Sequence, residues 1–170
     1  DTETVTALLA TPGIDANAAD GEGWTALMWA ANEGHLAMIR ALLAVPGIDM
    51  NARNRNGDTA LLYAADGGHT ETLTALLAAP GLDVNATDSN AGRTALMHAV
   101  YRGHTDTVTA LLAAPGIDVN VVNDAGESAL TLAAVEGHIG IITALLAAPG
   151  IDGGTQQMRQ LVLNINMRGR

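Results

Sequence analysis

No cysteine, no lysine and no phenylalanine occur in this chain of 170 residues. The missing thiols exclude a disulfide scaffold, a thiolate zinc site and a cysteine nucleophile together, and they leave the redox compartment open. Aromatic residues make up only 2%, two Trp and two Tyr, so a core must be assembled from Ala, Leu, Ile, Val and Met. Side chains that small suit closely packed helices better than a sandwich of aromatic-rich strands. All eight basic residues are Arg, and against 18 acidic ones they leave a formal net charge of −10. Such a balance repels phosphate backbones and argues against nucleic-acid binding. Long apolar runs are missing too. The longest, residues 139–151, contains Thr143, two Gly and Pro149, and it falls short of the roughly 20 residues a membrane-spanning helix needs. No basic-then-apolar leader opens the chain, and its start at Asp1 without a Met suggests a fragment or a processed product. The length is enough for one domain with a sizeable core.

What the chain does have is repetition, the strongest signal in it. The stretch Thr6-Ala-Leu-Leu-Ala-Thr-Pro-Gly-Ile-Asp15 recurs from Arg40, Thr74, Thr109 and Thr143, at spacings of 34, 34, 35 and 34 residues. Between these blocks lies a second shared stretch, Gly23-Trp-Thr-Ala-Leu-Met, which returns at Gly57, Gly92 and Gly126. Each copy leads to a Gly-His pair: Gly34-His35, Gly68-His69, Gly103-His104 and Gly137-His138. The longer spacing reflects one extra residue within residues 88–93.

Each unit parses as helix, turn, helix and hairpin-like finger. Thr25, Thr59, Thr94 and Ser128 stand where a hydroxyl accepts from the first free amides of a short helix. That helix closes at the repeated Gly, which takes up the left-handed conformation without strain. A second helix follows, for example over residues 36–45 with Ile39, Leu42 and Leu43 on one side. Pro-Gly ends it, because Pro offers no amide hydrogen. The Asn-, Asp- and Gly-rich residues 48–57 then read as the finger.

The pattern resembles the ankyrin repeat, whose units of about 33 residues carry a Thr-Pro-Leu-His-x-Ala signature. Residues 2–152 carry the likeness, through Gly-x-Thr-x-Leu, Ala-Ala-x-x-Gly-His, Leu-Leu and Asp-x-Asn in register. Departures exist: the family's Pro is Ala26, Ala60, Ala95 or Ala129, and its His is Met28, Leu62, Met97 or Thr131. Each loop also gains a Pro before Gly. The resemblance implies an all-α repeat solenoid of stacked helix-turn-helix units, with weakened Thr-to-His contacts between neighbours. It further implies an intracellular location, with secretion not excluded. It permits asparaginyl hydroxylation at Asn17, Asn51, Asn85 and Asn120.

The ends leave the pattern. Residues 2–10 match residues 70–78, so the array reads as a half repeat plus four helix pairs over residues 1–152. Repeat arrays need a polar outer face at each end. Val5, Leu8 and Leu9 offer none, so further chain or a partner is expected to cover them. Residues 153–170 form a separate tail, a cap or an added extension. It holds Arg159, Arg168 and Arg170 and no acid, with a period-2 strand pattern that competes with a short helix over residues 156–163. One expectation is that this basic tail docks on the acidic array of a neighbouring molecule. Deleting residues 155–170 would then lower the mass seen by light scattering.

Chemistry is not expected. Helical neighbours stack about 8–10 Å apart, whereas zinc ligands lie about 2.0–2.1 Å from the metal, so the four repeated His cannot share an ion and read as turn residues. His98 reads as a partly buried or exposed surface residue, not as a general base. Asp15, Asp49, Asp83 and Asp118 occur once per unit with the four Asn, as turn chemistry does. No phosphate loop or nucleophile elbow appears. Met28 and Met97 read as core, whereas Trp29, Tyr63 and His98 share one register position and either line a groove or fill space between first helices. No catalytic, cofactor or metal residues are assigned.

A protein partner is the expected ligand. The resemblance puts a concave surface at the finger tips and the exposed side of the first helices, where the sequence varies on a fixed frame. Trp, Tyr and Arg are the residue types that most often anchor interfaces. The site residues expected are Trp24, Arg55, Asp58, Arg93, Tyr101, Arg102 and Glu127. Arg53, Arg55, Arg93 and Arg102 would form a locally neutral or positive strip for carboxylates. Trp24→Ala and Arg93→Ala are expected to weaken binding with little change in melting temperature. Alternatives are a non-catalytic targeting segment of a larger enzyme or transporter, or self-assembly through uncapped ends.

Overall fold

The structure is a computed structural model that describes Ala7, Thr11 and residues 13–151. Eight helices run through the described residues in four pairs, and no strand is named there. Unit 1 holds α1 (Ala26–Asn32) and α2 (Leu36–Leu43), and unit 2 holds α3 (Ala60–Asp66) and α4 (Thr70–Leu77). Unit 3 holds α5 (Ala95–Arg102) and α6 (Thr105–Leu112), and unit 4 holds α7 (Ala129–Glu136) and α8 (Ile139–Ala147). The first helices pack on one another in sequence, as do the second helices, which makes a two-layer stack. The expected helix over residues 2–10, its Val5, Leu8 and Leu9, and the tail at residues 153–170 lie outside the described residues.

Local chemistry starts and stops these helices as the sequence suggests. Thr25, Thr59, Thr94 and Ser128 sit in extended backbone, and their hydroxyls accept from Met28, Leu62, Met97 and Thr131 N–H. Gly103 and Gly137 close α5 and α7 in the left-handed region, at φ of 75° each. The fingers are narrow hairpins pinched by antiparallel bridges such as Ala19 to Thr25 and Val122 to Ser128. The extra residue of the third finger is taken up at its tip, where the bridge joins Thr87 to Thr94.

The core is a continuous seam with no fully buried aromatic ring. Leu27 and Met28, Leu61 and Leu62, Leu96 and Met97, and Leu130 line it from the first helices. Ile39 and Leu42, Leu73 and Leu76, Val108 and Leu111, and Ile142 and Leu145 meet them from the second. Each fully buried aliphatic side chain contributes about 1.5–3 kcal/mol, so this seam supplies most of the stability. Most of the residues that replace the family's Pro and His became core: Ala60, Ala95, Ala129, Met28, Leu62 and Met97 are buried, whereas Ala26 is exposed and Thr131 half-buried.

Candidate functional site

Three sets of contacts join successive units, the first of them a hydrogen bond at the first two joints. At the helix turn, the His69 ring lies against Gly34 while its Nε2 meets the Asn32 carbonyl oxygen at 2.9 Å. His104 repeats this on Gly68, with Nε2 at 3.0 Å from the Asp66 oxygen. A Cβ on Gly34 would stand 2.6 Å from His69 Nδ1. Close approach, together with positive φ, therefore explains the Gly, and the ring explains the His. At the finger base, Asn51 Nδ2 donates to the Gly81 carbonyl and its Oδ1 accepts from Asp83 N–H, both at 2.8 Å. Asn17 and Asn85 make the same pair of hydrogen bonds to the following unit, and Asn120 Nδ2 reaches the Gly150 carbonyl. These carboxamides are part of the joint. At the finger tips, main-chain N–H groups of Arg55, Ser89 and Asp124 donate to the Glu22, Asn56 and Ala91 oxygens of the finger before.

A fourth repeated position is hidden in the sequence. Asp20, Asn54, Asp88 and Asn123 each turn an Oδ1 inward to accept the amides that close their own finger tip. The Trp24 and Glu22 amides, in that order, hold the Asp20 carboxyl below the usual carboxylate range against a small opposing effect of burial, and the Trp29 side chain adds to them.

Between units 1 and 2 the face formed by the fingers and first helices is aromatic. Trp24 lies half-buried with its ring centroid 4.4 Å from Trp29 and 4.3 Å from Tyr63. Tyr63 is pinned in turn: its hydroxyl donates to Asp58 Oδ2 at 2.9 Å and accepts from Asn54 Nδ2 at 2.7 Å. Burial first, then the Asp58 carboxylate, keeps the proton on this phenol and raises its pKa far above the ordinary value.

Between units 2 and 3 the same face is ionic. His98 spans the joint, Nε2 at 2.9 Å from Asp88 Oδ2 and Nδ1 at 3.3 Å from Asp66 Oδ1. Arg102 clasps Asp66 through Nε at 2.8 Å and Nη2 at 3.1 Å. Burial works to raise the Asp66 pKa, but the bonds and charges of Arg102 and His98 outweigh it and hold the carboxyl below its ordinary value. Asp88 is shifted the same way: burial opposes, and the Ala91 amide, His98 and the Arg93 amide prevail. Beside this cluster the Arg93 guanidinium lies 4.8 Å from the Tyr101 ring centroid, with Arg102 at 5.9 Å. Arg93 Nε is buried without a hydrogen-bond partner.

The stacked helical hairpins and their fingers meet a matching family. The description "Ankyrin repeats (3 copies)" fits residues 1–88 and again 81–157. The chain belongs to the ankyrin repeat family. No curated protein matches it. Ankyrin arrays generally serve as non-catalytic scaffolds for protein–protein contact, and that is the class of function this chain has. No helix among the described residues is long and apolar enough to cross a membrane.

The residues expected at the ankyrin surface fall into separate groups. Arg93, Tyr101 and Arg102 come together, and Trp24 and Asp58 are joined through Tyr63. Arg55 stands apart at a finger tip, paired with Glu22 at 3.0 Å with both side chains largely exposed. Glu127 belongs to unit 4, where it accepts from Asn123 Nδ2 at 3.0 Å. Of the neutral or positive strip, Arg55 and Arg102 are neutralised by carboxylates, Arg53 turns its Nη1 to the Gly57 and Thr87 carbonyls as a finger strut, and Arg93 has no carboxylate partner among the described residues. One expectation changes. Trp24 cannot be a stability-neutral anchor, because it packs between two rings and against the core. Reasoning from sequence also missed His98 as a bridge between two carboxylates. Its shared register with Trp29 and Tyr63 was the available sign.

Proposed function

We propose that the array binds a protein partner along the concave face formed by its finger tips and first helices, with Trp24, Arg55, Asp58, Arg93, Tyr101, Arg102 and Glu127 as the contact set. The observation that carries this reading is the Arg93–Tyr101 pair. Tyr101 is 40% exposed, and the guanidinium over it has no carboxylate partner among the described residues. A planar cation already oriented on a ring loses little freedom when a partner's carboxylate arrives. The neighbouring groups are preorganised too, since Arg102, Asp58 and Tyr63 are held by bonds within the array. The proposal extends, by family resemblance alone, to work inside the cell, with secretion as the alternative.

The test compares the wild-type array with Arg93→Ala and Tyr101→Ala as bait in a cross-linked pull-down. Proteins retained by the wild type should fall at least tenfold with either variant while the melting temperature stays within a few degrees. Equal retention by all three baits would refute the assignment of this face.

A further inference from the structure

One register of the first helices holds Trp29, Tyr63 and Leu132 in units 1, 2 and 4 and an imidazole, His98, in unit 3. The His98 ring has a carboxylate oxygen at each nitrogen, Asp88 Oδ2 of its own finger at Nε2 and Asp66 Oδ1 of unit 2 at Nδ1. It can donate to both only as the imidazolium, because the neutral ring has one N–H and one lone pair. The two carboxylates are not equivalent. Asp88 is buried, its Oδ1 is filled by the Asn90, Ala91 and Arg93 amides, and among the described residues His98 alone donates to its Oδ2. The Asp66 side chain is 35% exposed and keeps Arg102 on both oxygens whatever the ring does. An oxygen buried without a donor costs more than one that water can reach. The neutral ring therefore keeps its proton on Nε2 for Asp88 and turns a lone pair toward Asp66.

We propose that His98 is a proton-operated latch between units 2 and 3, closed as the imidazolium and open at Asp66 as the neutral ring, and that it regulates the partner face beside it. The regulation, though not the latch, rests on the reading of Arg93 and Tyr101 as that face. His98 lines a cavity of about 200 Å³ with Asp58, Tyr63 and Asp66 from unit 2, Asp88 and Asn90 from the third finger, and Arg102 from its own helix. On the other side of α5, α7 places the uncharged, buried Leu132 at the same register. Three carboxylates against one guanidinium leave two net negative charges around the neutral ring and one around the imidazolium. Tyr101, with the Arg93 guanidinium over it, lies three residues along α5 and so on the same side of that helix as His98. An acidic segment pairing with Arg93 thus meets one negative charge fewer when the latch is closed. Histidine is the side chain that changes charge within about pH 5–8. Asp66 and Asp88 stay ionised across that range, held below the ordinary carboxylate values by their donors, and Tyr63 stays protonated.

The latch is tested by a double-mutant cycle on the full chain, with His98→Leu and Asp66→Asn, read by urea unfolding at pH 5.5 and pH 8. The array already holds these residue types at these registers, Leu132 in unit 4 and Asn32 in unit 1, so neither asks anything new of the frame. Coupling between the two sites should change the unfolding equilibrium about fivefold at pH 5.5 and less than about twofold at pH 8. Equal coupling at both values overturns the latch. Nitrogen-15 NMR of the imidazole should show both nitrogens protonated at pH 5.5 and the proton on Nε2 at pH 8. A proton on Nδ1 at pH 8 would overturn Asp66 as the carboxylate released. Regulation is read separately, in photo-cross-linked pull-downs. Proteins that the wild-type bait retains and the Arg93→Ala bait loses should be held about threefold better at pH 6 than at pH 8, and equally at both by His98→Leu. The same pH dependence in both baits overturns the regulation and leaves the face intact. Retention that Arg93→Ala does not reduce overturns the face and the regulation with it, and the cycle still decides the latch.

Discussion

The joint between units 1 and 2 and the joint between units 2 and 3 share one frame and differ completely in what lines it. Behind, both use a His ring against a Gly and an Asn carboxamide across to the next Pro-Gly turn. In front, the first joint is closed by Trp29, Trp24 and Tyr63, and the second by Asp66, His98, Asp88 and Arg102. The frame therefore fixes the spacing of the helices without dictating the chemistry they show. Ring stacking responds weakly to salt and pH, whereas a carboxylate–imidazole–carboxylate bridge depends on both.

The largest effects should come from the shared frame and should be equal at both joints. Gly34→Ala and Gly68→Ala each force a side chain to φ of +68° and +69°, against the rings of His69 and His104. Each should cost about 2–3 kcal/mol in urea unfolding. Markedly unequal losses would show that the two joints are not built alike. Next comes Trp24→Ala, expected to cost about 2 kcal/mol, with a penalty that persists in high salt.

Asp88→Asn probes the ionic joint alone, because Asn54 and Asn123 already close their fingers from that position. It should keep the turn, lose the charge facing His98 and cost about 1 kcal/mol at pH 7. Asp66 and Asp88 both titrate below their ordinary values in the fold. The stability they confer is complete above the unfolded value of about 4 and is lost as pH falls through the lower folded values. The urea midpoint should thus fall more steeply below that pH in the wild type than in Asp88→Asn. Parallel curves would deny the bridge its role. Smallest of all is Arg55→Ala, an exposed pair whose loss should cost less than about 0.5 kcal/mol.

What the sequence made legible was whatever recurs by identity. Thr25, Thr59, Thr94 and Ser128, the Gly-His pairs and the Leu-Leu pairs set the period, the helix starts and the core, and those among the described residues stand where the period put them. The finger-tip position was missed because Asp20, Asn54, Asp88 and Asn123 alternate in residue type, and the third is displaced by the extra residue. The sequence varies at the fingers and the exposed side of the first helices, but it does not show the bonds made there. Which of its charges are free depends on partners 32 to 36 residues away, such as Asp66 with His98 and Arg102. Spacing along the chain does not reveal those pairings.

The third finger is one residue longer than its neighbours, and Asp88 absorbs the difference by gathering the Asn90, Ala91 and Arg93 amides onto one oxygen. Tips closed in this way tolerate lengthening while the helices behind them keep their pitch. Asn90, between the Ser89 and Ala91 groups that bond to the neighbouring fingers, accordingly marks the point at which a foreign segment could be displayed, and at which descendants of this chain can change what they grip without relearning how to fold.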